Sequence, residues 1–189
     1  VSEMTGIKKS LAEWSIAVGM QTVPYRQASK QLPFMLGLKY KIADKLVLNK
    51  FRAALGGKVR ACSSGGSALS KEVGSFFCGI GISIIEGYGL TETSPVMTIG
   101  HPSFFKFGTV GKPIPGVEVK IAEDGEILCK GHCVMQGYYK NEEATNESIV
   151  DGWFHSGDIG EFDEDGLLRI TDRKKSLIVT SGGKNVAPQ

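Results

Sequence analysis

The chain has 189 residues, of which 41% are hydrophobic, and it carries 22 Lys and Arg against 20 Asp and Glu. This length and apolar fraction suit one large or two small globular domains with a buried core. The charges nearly balance and form no long block of one sign, which argues against nucleic acid as a partner. No apolar run approaches the roughly 18 to 20 residues of a membrane-spanning helix, and the first residues lack a signal-peptide pattern, so we expect a soluble, cytoplasmic protein.

Residues 1–58 show helical periodicity. Apolar side chains recur at spacings of four, three and four, which predicts a helix whose buried face holds Ile7, Leu11, Trp14 and Val18. Pro24 and Pro33 are expected to interrupt this pattern. A second helical stretch should then run to Gly56 and Gly57, with apolar positions at Leu38, Ile42, Leu46, Val47, Phe51 and Leu55.

A strand, a small-residue loop and a helix are predicted next. Residues 59–62 form a strand candidate, and Ser70 is a candidate N-cap for a helix ending near Cys78. A second strand candidate, 82–85, leads directly into Gly87 and Tyr88. Two strands joined by a helix are expected to pair in parallel, and ligands of open parallel sheets bind at the carboxyl ends of the strands.

Beyond about residue 107 the pattern changes from helical to that of short strands. An Asp-Gly pair at 124–125 separates strand candidates 117–121 and 126–129. A second Asp-Gly pair separates 159–162 from 167–170. Repeated short strands with such turns predict a small all-β subdomain, which we interpret as a barrel.

The predicted fold class is therefore α/β, a parallel sheet with flanking helices followed by a small β-barrel subdomain. Residues 1–106 form the partial α/β portion of an N-terminal domain. Residues 107–171 form the barrel, and 172–189 form a hinge and the start of a further domain.

The cysteines show no paired CxxC spacing. We interpret Cys62, Cys78, Cys129 and Cys133 as buried thiols. A zinc site that adds His132 to Cys129 and Cys133 is a weaker alternative, because zinc ligands usually come in repeated, tighter pairs.

Residues 88–93 combine an aromatic ring, glycine, hydroxyl groups and a carboxylate. The Tyr88 ring could stack on a base, the Thr91 hydroxyl could bond phosphate and the Glu92 carboxylate suits a hard cation. Taken singly, each has an ordinary structural explanation, since an acid such as Glu92 at a helix start needs no metal.

Four segments in order resemble the motifs of the adenylate-forming superfamily, which includes acyl-CoA synthetases, adenylation domains and luciferases. Residues 86–95 read EGYGLTETSP and resemble its core motif. Residues 153–158, WFHSGD, resemble the segment whose aspartate holds ribose, with Ser156 where Thr is usual. Residues 172–175, DRKK, with GGKNVAP downstream, resemble its hinge, and SGGSAL at 64–69 resembles the adenine loop, although Ser67 and Ala68 replace the frequent Ala-Pro.

This resemblance implies how the nucleoside would be held. Tyr88 would stack on adenine, and Gly65, Gly66 and Gly87 would line the edge of the base. Asp158 would bind the ribose hydroxyl groups.

The resemblance also implies roles for the charged and hydroxyl side chains. Thr91 would bond phosphate and Glu92 would ligate magnesium. Arg173 would hold ribose or phosphate, and Asp172 would be the pivot of the hinge. Lys175 would lie near the nucleotide or the thiol of the second step, so that Thr91, Glu92 and Lys175 are the candidate catalytic residues.

The neighbouring polar residues receive ordinary interpretations. We interpret Lys174 as a solvated surface residue. None of His101, His132 and His155 is assigned as a base, since a carboxylic acid substrate is already ionised at neutral pH.

Within the superfamily, segments 44–47 and 52–57 look most like the long-chain fatty-acid branch. The resemblance then implies attack of a fatty-acid carboxylate on the α-phosphate of ATP, loss of pyrophosphate and transfer of the acyl group to CoA. Mg²⁺ would be the cofactor, with ATP, CoA and a fatty acid as substrates. Peripheral association with the inner face of a membrane, and the oligomeric state, are left open.

Two family elements have no counterpart in the sequence. No glycine-rich Ser/Thr phosphate loop precedes Ser63, and the sequence stops just past the hinge motif, so we expect the polypeptide alone to be inactive. An amino-acid adenylation domain is an alternative, but Glu72 is the only acid between 61 and 85 that could pair with a substrate ammonium. A noncatalytic nucleotide-binding module is the other alternative.

Overall fold

The computed structural model describes residues 6–174, together with the backbone of 178–179 and 185–186. The chain forms two compact units. The first runs to Glu86 and also contains Gly100–Gly108, whereas the second contains Gly87–Ile99 and resumes at Thr109. Lys175 lies outside the described residues, so its predicted role stays a prediction.

The first unit combines helices with a parallel strand pair, as predicted. Its helices are α1 Gly6–Gln27, α2 Phe34–Ala43, a π-helical segment Asp44–Leu48, α3 Asn49–Ala54 and α4 Lys71–Gly79. Its strands are β1 Ala61–Ser64 and the first part of β2 Ser83–Tyr88, which pair in parallel from Ala61 opposite Ser83 to Ser64 opposite Glu86. The Ser70 hydroxyl caps α4 by accepting a hydrogen bond from the Val73 amide, as the sequence indicates.

The predicted buried face of α1 is largely wrong. Ile7 is 87% exposed and Trp14 is 39% exposed, although Val18 is buried. The face that packs inward consists mostly of small residues, namely Ala12, Ser15, Val18, Gly19, Thr22 and Val23. Gly19 approaches Gly79 of α4 so closely that a Cβ on Gly19 would lie 2.8 Å from the Gly79 carbonyl oxygen. Close backbone approach, not the largest side chains, therefore decides which face is buried.

The predicted helix interruptions are half right. Pro24 lies inside α1, in its last turn, whereas Pro33 directly precedes α2. The second helical stretch ends as predicted, because Gly56 and Gly57 both have positive φ and their amides bond to carbonyls of α3. Its inward residues are Ala43 and Leu48, while the expected core positions Leu38, Ile42, Leu46 and Leu55 are exposed.

The second unit is built from short antiparallel strands. Its elements are the end of β2, a 3-10 turn Thr91–Thr93, β3 Thr98–Ile99, β4 Lys112–Pro113, β5 Val117–Ile121, β6 Glu126–Gly131, α5 Glu142–Ser148, β7 Ile149–Val150, β8 Trp153–Phe162 and β9 Leu168–Arg173. Ile178–Val179 (β10) and Asn185–Val186 (β11) also pair antiparallel. The strand order of the main sheet is β5-β6-β8-β7, with β9 also paired to β8.

Both predicted hairpins are confirmed, but the predicted barrel is not. β5 pairs with β6 and β8 pairs with β9 on either side of the Asp-Gly turns. The pairings among the described strands do not close into a ring. The core of this unit instead lies against the sheet and contains Tyr88, Met97, Val117, Ile127, Cys129, Cys133, Phe154 and Leu168.

Three of the four cysteines are buried thiols as predicted, whereas Cys62 on β1 is exposed. The Sγ atoms of Cys129 and Cys133 lie 3.9 Å apart in the second core, where burial raises the pKa of Cys129 to about 12. No group of three His, Cys, Asp or Glu side chains within the described residues could hold a metal ion. No helix of the described part is long and apolar enough to cross a membrane.

Candidate functional site

The segment after β2 folds into a tight turn that its second threonine and a glycine make possible. Thr93 is fully buried, and its hydroxyl oxygen accepts a hydrogen bond from the Leu90 amide at 2.9 Å. Gly89 faces the carbonyl of Pro95, and a Cβ on Gly89 would overlap that oxygen and lie 2.7 Å from its carbon. Any side chain at Gly89 would therefore open the turn. These two residues shape the backbone that carries Thr91 and Glu92.

Tyr88 is bonded to Asp158, which lies 70 residues further along the chain. The Tyr88 hydroxyl donates to Asp158 Oδ2 at 2.6 Å, and only 8% of Tyr88 is exposed. Burial, reinforced by the bond to the carboxylate, raises the pKa of Tyr88, so the phenol keeps its proton as a donor. The ring of Tyr88 packs in the core of the second unit, whereas its hydroxyl group bonds to Asp158. Stacking of Tyr88 on adenine stays a prediction.

The predicted ribose residues are cross-strand neighbours. Asp158 on β8 lies opposite Arg173 on β9, and Arg173 Nε is 3.3 Å from Asp158 Oδ1. Asp158 is only 5% exposed, whereas the Arg173 side chain is largely exposed. Asp172 accepts a hydrogen bond from the Arg173 amide at 2.7 Å. The sheet thus places a buried carboxylate beside an exposed guanidinium, an arrangement that suits a ligand with both hydroxyl and phosphate groups.

Thr91 and Glu92 lie at the outer side of the turn. Thr91 is exposed and Glu92 is half-buried. Glu92 Oε1 accepts a hydrogen bond from the Tyr138 hydroxyl at 2.9 Å. Tyr138 also lines an open pocket of about 430 Å³ formed by residues 136–142 with Thr145 and Asn146.

The Glu92 carboxylate suits a magnesium ion only if other ligands, such as phosphate oxygens and water, complete its coordination. Mg²⁺ is commonly held by one or two protein carboxylates, with phosphate oxygens and water completing an octahedron. Glu92 supplies one such carboxylate, and one of its oxygens already carries the Tyr138 bond. The described residues therefore suit an ion that arrives with a polyphosphate, and no all-protein cage is present among them.

The predicted adenine-edge glycines divide between the two units. Gly65 and Gly66 belong to the loop after β1 in the first unit, where Gly66 has a φ of +81°. In that unit the buried Glu86 accepts hydrogen bonds from the Gly108 and Leu69 amides, although burial raises its pKa. Gly87 belongs to the second unit and pairs with Ile99 of β3.

Sequence reasoning missed Glu126, a carboxylate that is 4% exposed. Its Oε1 accepts from the Gly157 amide at 2.8 Å, while Oε2 accepts from Lys174 Nζ at 2.9 Å and lies 3.0 Å from His155 Nδ1. Lys174 is exposed, as interpreted from the sequence, and its Nζ also bridges Glu126 and Asp124, with a distance of 2.7 Å to Asp124 Oδ2. An acid followed directly by three apolar strand residues was the available signal.

Acid should destabilise the second unit. Burial opposes ionisation of Glu126, but bonds from His155, Lys174 and Gly157 outweigh it and hold its pKa below the ordinary value of 4.5. Lys174 likewise lowers the pKa of Asp124. Below about pH 4.5 the unfolded chain takes up these protons first, so the free energy of unfolding should fall as pH drops through the folded pKa values.

Denaturant unfolding of this unit between about pH 6 and pH 3 measures the effect. In the Glu126→Gln variant, the free energy of unfolding should depend less steeply on pH. A free energy of unfolding that is constant or rises toward acid would contradict this assignment of the carboxylates.

Comparison with known proteins bears directly on this site. The model of the family described as AMP-binding enzyme matches residues 22–139, which is more than half of the chain and includes the turn that carries Thr91 and Glu92. The chain belongs to the family of AMP-binding enzymes.

Sequence identity to individual proteins supports the same family assignment. The chain is 54% identical to the long-chain-fatty-acid–CoA ligase FadD15 of Mycobacterium bovis over 82% of this chain and 26% of the relative. It is 40% identical to the long-chain-fatty-acid–CoA ligase ACSBG2 of Xenopus laevis over 96% of this chain and 25% of that protein. The chain thus spans about a quarter of the length of these curated relatives.

Among solved structures, the AMP-binding enzyme chain resembles o-succinylbenzoate coenzyme A synthetase from Bacillus subtilis in complex with ATP and magnesium ion. The TM-score is 0.62 and the sequence identity is 32%, covering 74% of this chain and 33% of that one. The mixed α/β architecture is therefore that of adenylate-forming enzymes.

Proposed function

We propose that the protein containing this chain is an AMP-forming long-chain fatty-acid–CoA ligase. A fatty-acid carboxylate and ATP would give acyl-AMP and pyrophosphate, and CoA would then displace AMP to give acyl-CoA. The observation that carries the proposal is the bonded group of Tyr88, Asp158 and Arg173, which joins two segments far apart in the chain. The 54% identity to a protein named as a long-chain ligase supports the choice of acid.

In this proposal Asp158 binds the ribose hydroxyl groups. Each carboxylate oxygen can accept more than one hydrogen bond, so the Tyr88 bond on Oδ2 leaves acceptor capacity. The hydrogen bond from Tyr88 and the ion pair with Arg173 hold the Asp158 carboxylate in one orientation. Arg173, being exposed, would reach the α-phosphate or the ribose.

Thr91 and Glu92 would act on the phosphates. The exposed Thr91 hydroxyl would donate to a phosphate oxygen, and Glu92 would ligate Mg²⁺, which neutralises phosphate charge when bound. Tyr138 would orient the Glu92 carboxylate through its 2.9 Å hydrogen bond. Gly65, Gly66 and Gly87 would border the adenine, where the absence of side chains permits close approach of the base.

The remaining assignments extend this scheme to the hinge. Residues 1–106 and 107–171 would be parts of the adenylating domain, and 172–189 would connect it to a mobile C-terminal domain. Asp172 would be the pivot, and Lys175 would meet the nucleotide or the thiol. Because the chain spans about a quarter of its relatives, the activity is proposed for the full-length protein.

The function is tested by exchange of labelled pyrophosphate into ATP in the presence of different carboxylic acid substrates. The full-length protein, with Mg²⁺, should exchange labelled pyrophosphate in the presence of long-chain fatty acids and much less with short-chain acids or amino acids. Exchange supported by an amino acid but by no fatty acid would replace this proposal with an amino-acid adenylation domain. Nucleotide binding without any exchange would favour the noncatalytic module.

A further inference from the structure

We infer that Glu126 is a positioning residue that fixes the pair formed by Asp158 and Arg173. It does so by holding the backbone just before Asp158 and the side chain just after Arg173. The inference rests on the proposed nucleotide site, since it assigns Glu126 a part in the affinity of that site for ribose.

One buried carboxylate bonds to β8 and to the residue that directly follows β9. Gly157, which immediately precedes Asp158 on β8, donates its amide hydrogen to Glu126 Oε1 at 2.8 Å. Lys174, which immediately follows Arg173, donates to Glu126 Oε2 at 2.9 Å. The hydrogen bonds of the Glu126 carboxylate go to Gly157, Lys174 and His155, so it would act on the pair through its neighbours.

The strand pairing explains why the Gly157 amide needs a side chain as its hydrogen-bond acceptor. Leu128 of β6 lies opposite His155, and Glu126 lies opposite Ile159, so that residues 156–158 of β8 face the single residue Ile127. Such a bulge leaves backbone groups without ladder partners. Gly157, at a φ of +72°, sends its amide to the Glu126 carboxylate instead of to a strand carbonyl. Glu126 therefore replaces the hydrogen bond that the bulge removes, at the position next to Asp158.

The charge of Glu126 is matched by its surroundings. A buried carboxylate is tolerated when it is paired and fully hydrogen-bonded. Lys174 supplies the positive charge and is itself fixed by Asp124 at 2.7 Å, and His155 lies on the same Glu126 oxygen as Lys174. Replacing the carboxylate with an amide would place an NH₂ group against at least one of these donors and would loosen both strands.

The test separates ribose positioning from general destabilisation. The full-length protein and its Glu126→Gln variant are titrated with AMP and with the 2′,3′-dideoxy analogue, which lacks the hydroxyl groups assigned to Asp158. We expect roughly tenfold weaker binding of AMP and little change for the analogue, because only AMP uses the oriented carboxylate. Glu161→Gln is the matched control, since Glu161 lies on β8, the strand of Asp158, in an exposed ion pair with Arg169. This variant should bind AMP as the wild type does.

An unchanged AMP affinity of Glu126→Gln, or an equal loss for both nucleotides, would overturn the inference. Lys174→Met provides a second variant that removes the bond to the residue following β9 and leaves Gly157 bonded, and it should show the same selectivity with a smaller loss of AMP affinity. If the wild type binds neither nucleotide, the proposed function fails, and amide hydrogen exchange decides the inference separately. Faster exchange at Gly157 and Asp158 in Glu126→Gln would support it, and unchanged exchange there would refute it.

Discussion

Replacing Gly89 with alanine is expected to unfold the second unit under conditions in which the wild type is stable. The added Cβ would overlap the carbonyl oxygen of Pro95 and lie 2.9 Å from Thr93 Oγ1. Both obstacles belong to the same tight turn, and one of them is backbone, so a change of side-chain rotamer cannot relieve the overlap. We expect a loss of about 3 kcal/mol or more in the free energy of unfolding.

In the 189-residue polypeptide, its two tryptophans allow this loss to be assigned to the correct unit. Trp14 lies in the first unit and Trp153 in the second, so in a Trp14→Phe background the remaining fluorescence reports on the second. Urea unfolding then gives the change in free energy. Gly37→Ala is the control, because Gly37 lies in α2 with no atom within 4 Å of an added Cβ, and helix propensity favours alanine there. A loss below about 1 kcal/mol for Gly89→Ala would refute the tight-turn assignment.

Asp158→Asn is expected to weaken AMP binding by about 10- to 100-fold in the full-length protein, because hydrogen bonds to a charged acceptor are worth more than those to a neutral one. The amide is close in size to the carboxylate and can still accept the Tyr88 proton. The variant would lose the charge that attracts Arg173 and one acceptor oxygen for the ribose.

Calorimetric titration with AMP measures this loss, and the 2′,3′-dideoxy analogue serves as the reference ligand. Asp151→Asn is a suitable control, since Asp151 is exposed in the same unit at a positive φ that asparagine adopts readily. Wild-type affinity for AMP in Asp158→Asn would show that this carboxylate does not hold the ribose.

The features that were predictable from sequence are those fixed by local chemistry. The Ser70 cap, the ends of the helices at Gly56 and Gly57, and both Asp-Gly hairpins depend on residues only a few positions apart. The buried face of α1 depends instead on a contact between Gly19 and Gly79, and hydrophobic periodicity carries no information about how closely two backbones will approach.

The same distinction applies to the candidate site. Motif resemblance indicated Tyr88, Asp158 and Arg173, and the structure brings these three together. The bond from the Tyr88 hydroxyl to Asp158 could not be read from the motifs, because it depends on how a strand end and a bulged strand meet. Glu126 was missed for a related reason. Its carboxylate bonds the Gly157 amide within the bulge of residues 156–158 opposite Ile127, and this bulge is visible only in the strand register.

Isotope transfer from a labelled fatty acid tests the central claim, that this site belongs to an adenylate-forming ligase, most directly. A carboxylate labelled with ¹⁸O would attack the α-phosphate, and when the CoA thiol displaces the adenylate at the acyl carbon, the bridging oxygen leaves with AMP. The full-length protein supplied with ATP, Mg²⁺ and CoA should therefore release AMP that carries one labelled oxygen, together with unlabelled pyrophosphate. Formation of ADP with labelled inorganic phosphate, or of AMP without label, would contradict the account.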